Sequence, residues 1–338
     1  IKSIDEKGDA RLREQWPSLR ISTLLANPAA FRANKRFIDL DLNREFTFDK
    51  LNHKFDENDE MTVEQRRAKE IDTLLGPKFG PGAPCTDLII DLHTTTSNMG
   101  TTLIVPEGDK LMTLAAAYVM SRCRGDDVRC LMHSLADRKR RPNLSSVSKH
   151  GFTIEVGPVP QGVLRHDIVE KTERAVDVLL DFVQRWNEDG GVTAMEELRR
   201  MYKEGVVPCF RSAPAKRCTE MSGKITWEGD EVNPNFPAVM VHKSVQDGDF
   251  KKIRTGDPLF VTAGGKVIRY DGSHGDEVYL IFVNEGGYYY QSSGTGIGVA
   301  LACYFDLSTG MLTEHPMETC IDEKGRTLAA AVSEYDYE

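Results

Sequence analysis

Residues 87–93 read Asp-Leu-Ile-Ile-Asp-Leu-His, a short apolar run that ends on an imidazole ring. The turn-forming stretch Gly76-Pro-Lys-Phe-Gly-Pro-Gly-Ala-Pro-Cys85 leads into it. Short apolar runs bounded by Gly and Pro are typical of strands buried in a sheet. The stretch therefore predicts a buried strand with His93 at its carboxyl end.

Strand and helix patterns alternate on both sides of this run. Upstream, Arg20-Ile-Ser-Thr-Leu-Leu-Ala26 predicts a second buried strand, and Thr62-Val-Glu-Gln65 is a capping box that begins a helix of about four turns, ended by Gly76-Pro77. Downstream, the patterns predict strands at 102–105, 128–133 and 152–156, and helices at 110–122 and 167–186. This alternation predicts an α/β fold whose largely parallel sheet is covered by helices on both faces.

The texture of the sequence changes after Glu188-Asp-Gly-Gly191. Short runs such as 266–270 and 278–283 are separated by Gly, Pro and Asp turns, although residues 195–203 could still be helical. We therefore expect two domains, 1–190 and a smaller β-rich domain at 191–338.

Length and charge limit the classes of function. A chain of 338 residues is long enough for about two domains. It has 43 Lys and Arg against 52 Asp and Glu, a net charge of −9, which argues against nucleic acid or an anionic membrane as partner. The longest nearly apolar run, 111–120, is too short to cross a bilayer. A small charged metabolite fits this balance.

The cysteines and the first residue bear on the compartment. The seven cysteines are an odd number without a C-x-x-C pair, which favours free thiols in a cytoplasmic protein. Ile1 is not a start residue, and no apolar signal core follows it. We therefore expect that the true start of the protein lies upstream.

His93 and Glu155 are polar residues in otherwise apolar strands. Ligands bind at the carboxyl ends of strands in open α/β sheets, and Asp91, on the same side of the strand, could orient the imidazole. Glu155 lies in Phe152-Thr-Ile-Glu-Val156, where burial would raise its pKa towards that of a general base acting on water. The alternatives are a hydrogen-bonded histidine at a strand end and a salt-bridged structural glutamate.

Arg36, Asn43 and Arg44 gather two guanidiniums and an amide within a short stretch. A carboxylate-bearing ligand would suit them, because arginine binds carboxylates in a bidentate manner. Alternatively, Asp39 and Asp41 neutralise the arginines on a solvated face.

Two motifs in the second half are less specific. Tyr288 follows Gly286-Gly287, so its phenol could enter a cleft or belong to a surface aromatic run. His274-Gly-Asp-Glu277 has the H-x-x-E spacing of a zinc site, but its setting predicts an exposed hairpin tip.

Taken together, these segments resemble the aspartoacylase and aminoacylase family of the zinc carboxypeptidase-like superfamily. This resemblance implies a mixed sheet with helices on both faces, followed by a smaller β-rich domain that contributes to the substrate cleft. The matching pieces occur in the family's order: Asn27-Pro28, Phe37-Ile-Asp39, Asp41-Leu-Asn-Arg44, Asp91-Leu-His93, Thr95-Thr-Ser-Asn-Met-Gly100, Glu155-Val-Gly-Pro158, Pro160-Gln-Gly-Val-Leu-Arg165, Gly256-Asp-Pro258, Phe282-Val-Asn-Glu285 and Tyr288-Tyr289.

The resemblance implies a zinc-dependent hydrolase of N-acyl amino acids. The family binds one zinc through the His and Glu of an H-G-x-E motif and a later His that matches His93. Glu155 matches the general base, and Arg36 matches the arginine that stabilises the oxyanion. Counting back from Arg44 places the H-G-x-E motif just before Ile1, so the remaining His and Glu ligands are expected upstream.

The resemblance also implies how the substrate is held. Asn43, Arg44 and Tyr288 match residues that hold the α-carboxylate. Ser145 stands where aspartoacylases carry an arginine for the aspartate side chain, so the chain looks closer to the branch that deacylates aromatic amino acids and mercapturates. The nearby arginines 138, 140 and 141 could still reach the pocket and leave N-acetylaspartate as a second substrate. A homo-oligomer would agree with the family, and a catalytically silent N-acyl amino acid binding protein without a complete zinc site is the alternative.

Overall fold

The computed structural model describes residues 12–53, 60–123, 125, 127–133, 137–213, 223–233, 236–290 and 295–313. Residues 12–15 are helical, and the helices that follow are α1 (Pro28–Ala33), α2 (Phe48–Asn52), α3 (Val63–Leu75), α4 (Lys110–Arg122), α5 (His166–Asp189) and α6 (Val192–Met201). The strands are β1 (Leu88–Thr94), β2 (Gly100–Pro106), β3 (Val128–His133), β4 (His150–Gly157), β5 (Val206–Ser212), β6 (Lys224–Thr226), β7 (Val239–Val241), β8 (Lys252–Arg254), β9 (Pro258–Thr262), β10 (Val267–Arg269), β11 (Glu277–Ile281), β12 (Thr295–Asp306) and β13 (Leu312–Thr313). None of the helices in these ranges is long and apolar enough to span a bilayer.

The main sheet is mixed, in the order β1-β4-β2-β3-β5-β12-β11-β8. β4 runs parallel to β1 but antiparallel to β2, while β2, β3 and β5 run parallel to one another. The prediction of a largely parallel sheet in the first half is confirmed, since three of these four pairings are parallel, and so is the mixed sheet implied by the resemblance. The exception is the antiparallel pairing of β4 with β2. The physical reason is the short connection at 95–99, because a parallel crossover needs a dozen or more residues and a shorter link reverses the chain.

Helices cover both faces of this sheet, as predicted. α4 is buried along almost its whole length and packs on α5, α6, β2 and β3. On β1, Leu88 and Ile90 face that layer, whereas Ile89 faces the opposite cluster, which contains Ile71 of α3 and Phe46. Strand alternation therefore puts Asp91 and His93 on the α3 side of the sheet.

The second half continues the same sheet. β5 pairs with β3 in parallel and with the long strand β12 antiparallel, and β7, β9 and β10 form a separate three-stranded sheet. The stretch 195–203, which the sequence left open, is largely helical as part of α6. The division of the chain at residue 190 stays a prediction.

The strand predicted at 20–26 is wrong. These residues are not assigned to a strand, although Leu24 and Ala26 pack against the Ile71 cluster. The Arg67 side chain donates hydrogen bonds to the carbonyls of Leu25 and Ala26, at 3.0 and 2.7 Å. A guanidinium on α3 thus occupies carbonyls that a neighbouring strand would have used.

The prediction of an exposed tip at His274 is also wrong. Residues 273 and 274 do form a turn, but His274 is only 7% exposed. Its backbone N–H donates to the Tyr270 hydroxyl at 3.0 Å, and that hydroxyl donates to the carbonyl of Gly275. The buried Tyr270 side chain therefore fixes this turn through hydrogen bonds to His274 and Gly275.

The described cysteines are free thiols, as predicted: Cys85, Cys123, Cys130, Cys209 and Cys303. Cys218 and Cys320 lie outside the described residues.

Candidate active site

His93 and Glu155 meet where β1 and β4 end. They are direct partners in the parallel register, and both lie on the α3 side of the sheet. The His93 Nε2 lies 2.9 Å from the Asp91 carboxylate and 3.0 Å from the side-chain nitrogen of Asn43. Asp91 thus orients the ring as predicted, and Nδ1 is the ring nitrogen left for a ligand.

The electrostatics of this pair differ from those of exposed side chains. Burial raises the pKa of Glu155 to about 7, and the nearby Glu285 carboxylate contributes to this rise. Burial alone would lower the pKa of His93, but the Asp91 carboxylate outweighs it and raises this pKa to about 9. A carboxylate with a pKa near 7 can both accept and return a proton at neutral pH.

Arg36 lies across from this pair, between two carboxylates. Its Nη2 is 3.2 Å from Asp41, and its Nη1 is 3.9 Å from Glu285. The guanidinium passes close to Gly287, where an added Cβ would lie 3.0 Å from the Arg36 Cζ. Part of the alternative therefore holds, since Asp41 does pair with an arginine that is partly exposed to solvent, but the charge of that arginine also acts on the Glu155 carboxylate.

The loop that carries Arg36, Asn43 and Arg44 is held by Glu64 of α3. The fully buried Glu64 carboxylate accepts hydrogen bonds from the backbone N–H groups of residues 38, 39 and 40 and from the Asn27 side chain, at 2.7 to 3.1 Å. Asp41 then caps the 3₁₀ turn Leu42–Arg44 by accepting from the N–H of Asn43. The α3 helix thereby positions the loop beside the strand ends.

Glu285 anchors the segment that carries Tyr288. Its Oε2 accepts hydrogen bonds from the hydroxyls of Thr95, Thr96 and Ser97 and from the N–H of Thr96. Its Oε1 accepts from the N–H of Gly287. The link that follows β1 is therefore tied to the 3₁₀ turn Gly286–Tyr290, which contains Tyr288.

Lys224 at the start of β6 is a site residue that the sequence analysis missed. Its Nζ lies 5.5 Å from the centroid of the Tyr288 ring, a cation–π distance. Burial and the Arg44 guanidinium lower its pKa. A lysine in a three-residue strand has no local pattern that would mark it.

The structure brings the predicted site residues together. Arg44 Nη1 donates to the Asn43 carbonyl at 2.9 Å, and Asn43 also contacts His93. Burial raises the pKa of Tyr288, and the Glu285 and Arg44 charges act on it as well. The individual roles of these residues stay predictions.

The three arginines considered for an acidic substrate differ in burial and in their contacts. Arg138 is occupied by the carbonyls of residues 146, 147 and 78, and Arg140 is exposed. Arg141 is buried, and burial together with Arg141, Arg44 and Lys224 lowers the pKa of His133 to about 4.

The fit to zinc can be tested on the donor atoms. Within the described ranges, no group of three or more His, Cys, Asp and Glu side chains is arranged to hold a metal ion. His93 fits one ligand position, because Asp91 holds its Nε2 as a carboxylate partner of a zinc-bound histidine would. His274 and Glu277 do not complete it, because Glu277 pairs with Arg254 at 2.6 Å.

A mixed sheet with helices on both faces and a site at the strand ends, followed by a β-rich unit, defines a zinc carboxypeptidase-like fold. The chain belongs to the succinylglutamate desuccinylase/aspartoacylase family: residues 9–183 match the catalytic domain of that family, and residues 220–295 match its barrel-sandwich hybrid domain. The chain is thus a member of a family of hydrolases.

Relatives and solved structures agree with this assignment. The chain is 35% identical to an N-acyl-aromatic-L-amino acid amidohydrolase (carboxylate-forming) of Danio rerio, over 84% of this chain and 81% of the relative. It is 34% identical to the aspartoacylase of Rattus norvegicus, over 80% and 78%. The crystal structure of murine aminoacylase 3 superposes with a TM-score of 0.69 at 27% identity, covering 88% of this chain and 90% of that one.

Proposed function

We propose that this protein is a zinc-dependent amidohydrolase that cleaves N-acyl amino acids into an amino acid and a carboxylate. The observation that carries this proposal is the pairing of His93 and Glu155 at adjacent strand ends, with Arg36 close enough to influence the Glu155 carboxylate. A metal-ligand candidate, a base with a pKa near 7 and a cation for an oxyanion are the groups that amide hydrolysis needs.

The residues of this chain divide the reaction between them. Zinc, when bound, would polarise the acyl carbonyl and lower the pKa of water to about 7. The Glu155 carboxylate takes a proton from the attacking water and returns it to the amine nitrogen as the C–N bond breaks. The Arg36 guanidinium stabilises the negative charge that develops on the carbonyl oxygen. His93 would be one zinc ligand, with the other two expected upstream of Ile1.

The substrate's α-carboxylate binds at the 3₁₀ turn Leu42–Arg44. Asn43 and Arg44 supply the amide and the guanidinium. Lys224 and Tyr288, which contact each other, line the carboxylate-binding side of the site from the second half of the chain. We favour N-acetylated aromatic amino acids and mercapturates, because Ser145 is buried and accepts a hydrogen bond from Asn143 where an aspartate-binding arginine would stand. N-acetylaspartate is the second candidate, because the buried Arg141 belongs to the segment whose Leu144 N–H donates to Asn43.

The test separates binding from turnover. Calorimetry with N-acetylphenylalanine and N-acetylaspartate gives Kd, and an acetate-release assay gives kcat and KM. Zinc per chain is measured for the chain as given and for a version extended upstream of Ile1. We expect about one equivalent in the extended protein, and Glu155→Gln to keep the metal and the Kd while losing at least about 100-fold in kcat.

Glu170→Gln on the exposed side of α5 is the matched control and should keep full turnover. If Glu155→Gln hydrolysed substrate as fast as its parent, the base would be misassigned. If the extended parent bound substrate but neither bound zinc nor released acetate, the binding-protein alternative would replace this proposal.

A further inference from the structure

Lys78 is a buried lysine that the proposed reaction does not use. It follows α3 and is only 1% exposed. Its Nζ donates hydrogen bonds to the Phe46 carbonyl at 2.6 Å, to the Ser146 hydroxyl at 2.8 Å and to the Arg141 carbonyl. These acceptors use all three ammonium protons, and among the described residues no carboxylate forms an ion pair with Nζ.

The acceptors belong to two segments that face each other. Phe46 ends the loop that carries Asn43 and Arg44, and the N–H of Phe46 donates to the Pro142 carbonyl at 3.1 Å. The Asn43 Oδ1 accepts from the N–H of Leu144 at 2.9 Å. The segments 42–46 and 141–146 are thus joined by two direct hydrogen bonds, and the Lys78 side chain joins them as well through its bonds to both segments.

The rest of Lys78 is fixed to its surroundings as well. Its N–H donates to the Asp72 side chain at 2.8 Å, and its carbonyl accepts from the Arg138 guanidinium at 3.0 Å. The position of Nζ is therefore determined by the end of α3 and by the 3₁₀ turn Arg138–Arg140. A flexible lysine would not set the distance between the two segments, but a lysine anchored at both backbone groups does.

Burial of an ammonium without an ion pair is costly, and an apolar residue of similar volume could fill the same space. What an apolar residue could not supply is a donor for the carbonyls of Phe46 and Arg141. The benefit of a lysine here lies in fixing those two carbonyls. The Phe46 carbonyl follows the turn that contains Asn43 and Arg44, and the other carbonyl belongs to Arg141.

We propose that Lys78 is a positioning residue for the carboxylate-binding side of the site, where it holds the Asn43–Arg44 turn against residues 141–146. This inference rests on the proposed function, because it assigns Lys78 to the binding of the substrate's carboxylate. Lys78 does not touch the substrate and takes no part in proton transfer.

The test compares Lys78→Met with its parent in Kd and KM for an N-acetyl amino acid, in kcat and in thermal melting. If the turn is displaced, ground-state and transition-state binding weaken together. We expect Kd and KM to rise about tenfold or more, with kcat within about threefold of the parent. Lys69→Met, which removes a half-buried lysine of α3 that donates to the His53 carbonyl, should change neither constant.

Two milder variants protect the test against misfolding. Ser146→Ala removes one acceptor and should raise KM by about two- to threefold, and Lys78→Arg, which keeps donors for both carbonyls, should recover part of the loss. A lower melting temperature with unchanged Kd and KM in all folded variants would show a purely structural lysine and overturn the inference. A parent that neither binds nor hydrolyses N-acyl amino acids would instead overturn the proposed function.

Discussion

Replacing Glu64 by glutamine is the sharpest test of how the substrate loop is held. The Glu64 side chain is 0% exposed. One carboxylate oxygen accepts from Asn27 at 2.9 Å and from the N–H of Ile38 at 2.7 Å, while the other accepts from the N–H groups of Asp39 and Leu40, both at 3.1 Å. A glutamine has nearly the same shape but only one accepting oxygen.

The magnitude follows from these bonds. Two bonds are lost, because the new NH₂ group faces two donors, and the other two weaken because their acceptor is no longer charged. At about 1 kcal/mol for each lost bond and about half that for each weakened one, we expect a loss of about 3 kcal/mol in the free energy of unfolding.

The pH dependence gives the prediction a second signature. Burial alone would raise the pKa of Glu64, but the N–H donors outweigh it and lower this pKa. A carboxyl with a lowered folded-state pKa stabilises the protein above its unfolded-state pKa, and this stabilisation disappears as the pH falls through the folded-state value. The deficit of Glu64→Gln should therefore be largest near neutral pH and shrink in acid.

Urea unfolding at pH 7 and pH 4, with kcat/KM at pH 7, measures these effects. Glu70→Gln is the matched control on the same helix, because Glu70 is 55% exposed and its pair with Arg67 should be worth less than about 0.5 kcal/mol. A Glu64→Gln variant with the stability and kcat/KM of its parent would refute the reasoning, since the loop would then keep its position without the carboxylate.

Three further predictions follow from single contacts. Gly287→Ala should lower kcat about tenfold or more, because the added methyl group pushes the Arg36 guanidinium aside, and it should change stability little because that side chain is flexible. Gly264→Ala, whose nearest neighbouring atom lies at 3.9 Å, is the neutral control. Equal kcat values for the two variants would count against the contact. In the extended protein, Asp91→Asn should weaken zinc binding about 10- to 100-fold in a chelator competition, because it removes the carboxylate that orients His93; an unchanged affinity would remove Asp91 from the site. Burial and the arginines at 141 and 138 lower the pKa of Lys78 to about 7, so between pH 7 and 10 the unfolded chain binds more protons than the folded protein. The free energy of unfolding of the parent, relative to that of Lys78→Met, should therefore rise by up to about 1 kcal/mol per pH unit. A difference that does not change with pH would contradict the lowered pKa.

Elements with strong local signals could be predicted from the sequence. The helix 110–122 and the strand 128–133 have the predicted bounds, and the capping box at Thr62 begins α3 with both of its hydrogen bonds. These elements are defined by apolar periodicity and by caps a few residues apart. The strand predicted at 20–26 has an equally suitable composition, but its carbonyls are taken by a side chain 42 residues away, which local pattern does not contain.

The residues of the candidate site likewise divide into those with a local sequence signal and those without one. His93 and Glu155 could be found because a polar side chain in an apolar strand is visible locally, and the resemblance placed Arg36 and Tyr288 beside them. Lys224 could not be found, since its neighbours contribute only a three-residue strand. The direction of β2 was missed because composition defines strands without their pairing, although the short link after β1 excludes a parallel crossover.

The residues that hold the site share a physical property that hides them from sequence patterns. Glu64, Lys78 and Glu285 are buried charged groups whose partners are mostly backbone groups and hydroxyls far along the chain, up to 190 residues away for Glu285 and Thr95. A backbone N–H or carbonyl is present at every position, so nothing in the partner's sequence marks the contact. A buried charge without such partners would cost several kcal/mol, and the fold therefore tolerates these groups only where many polar atoms converge. In this chain the polar atoms converge around the loop at 36–46 and the link at 95–97. The three buried charges therefore identify the two segments whose positions the proposed reaction depends on.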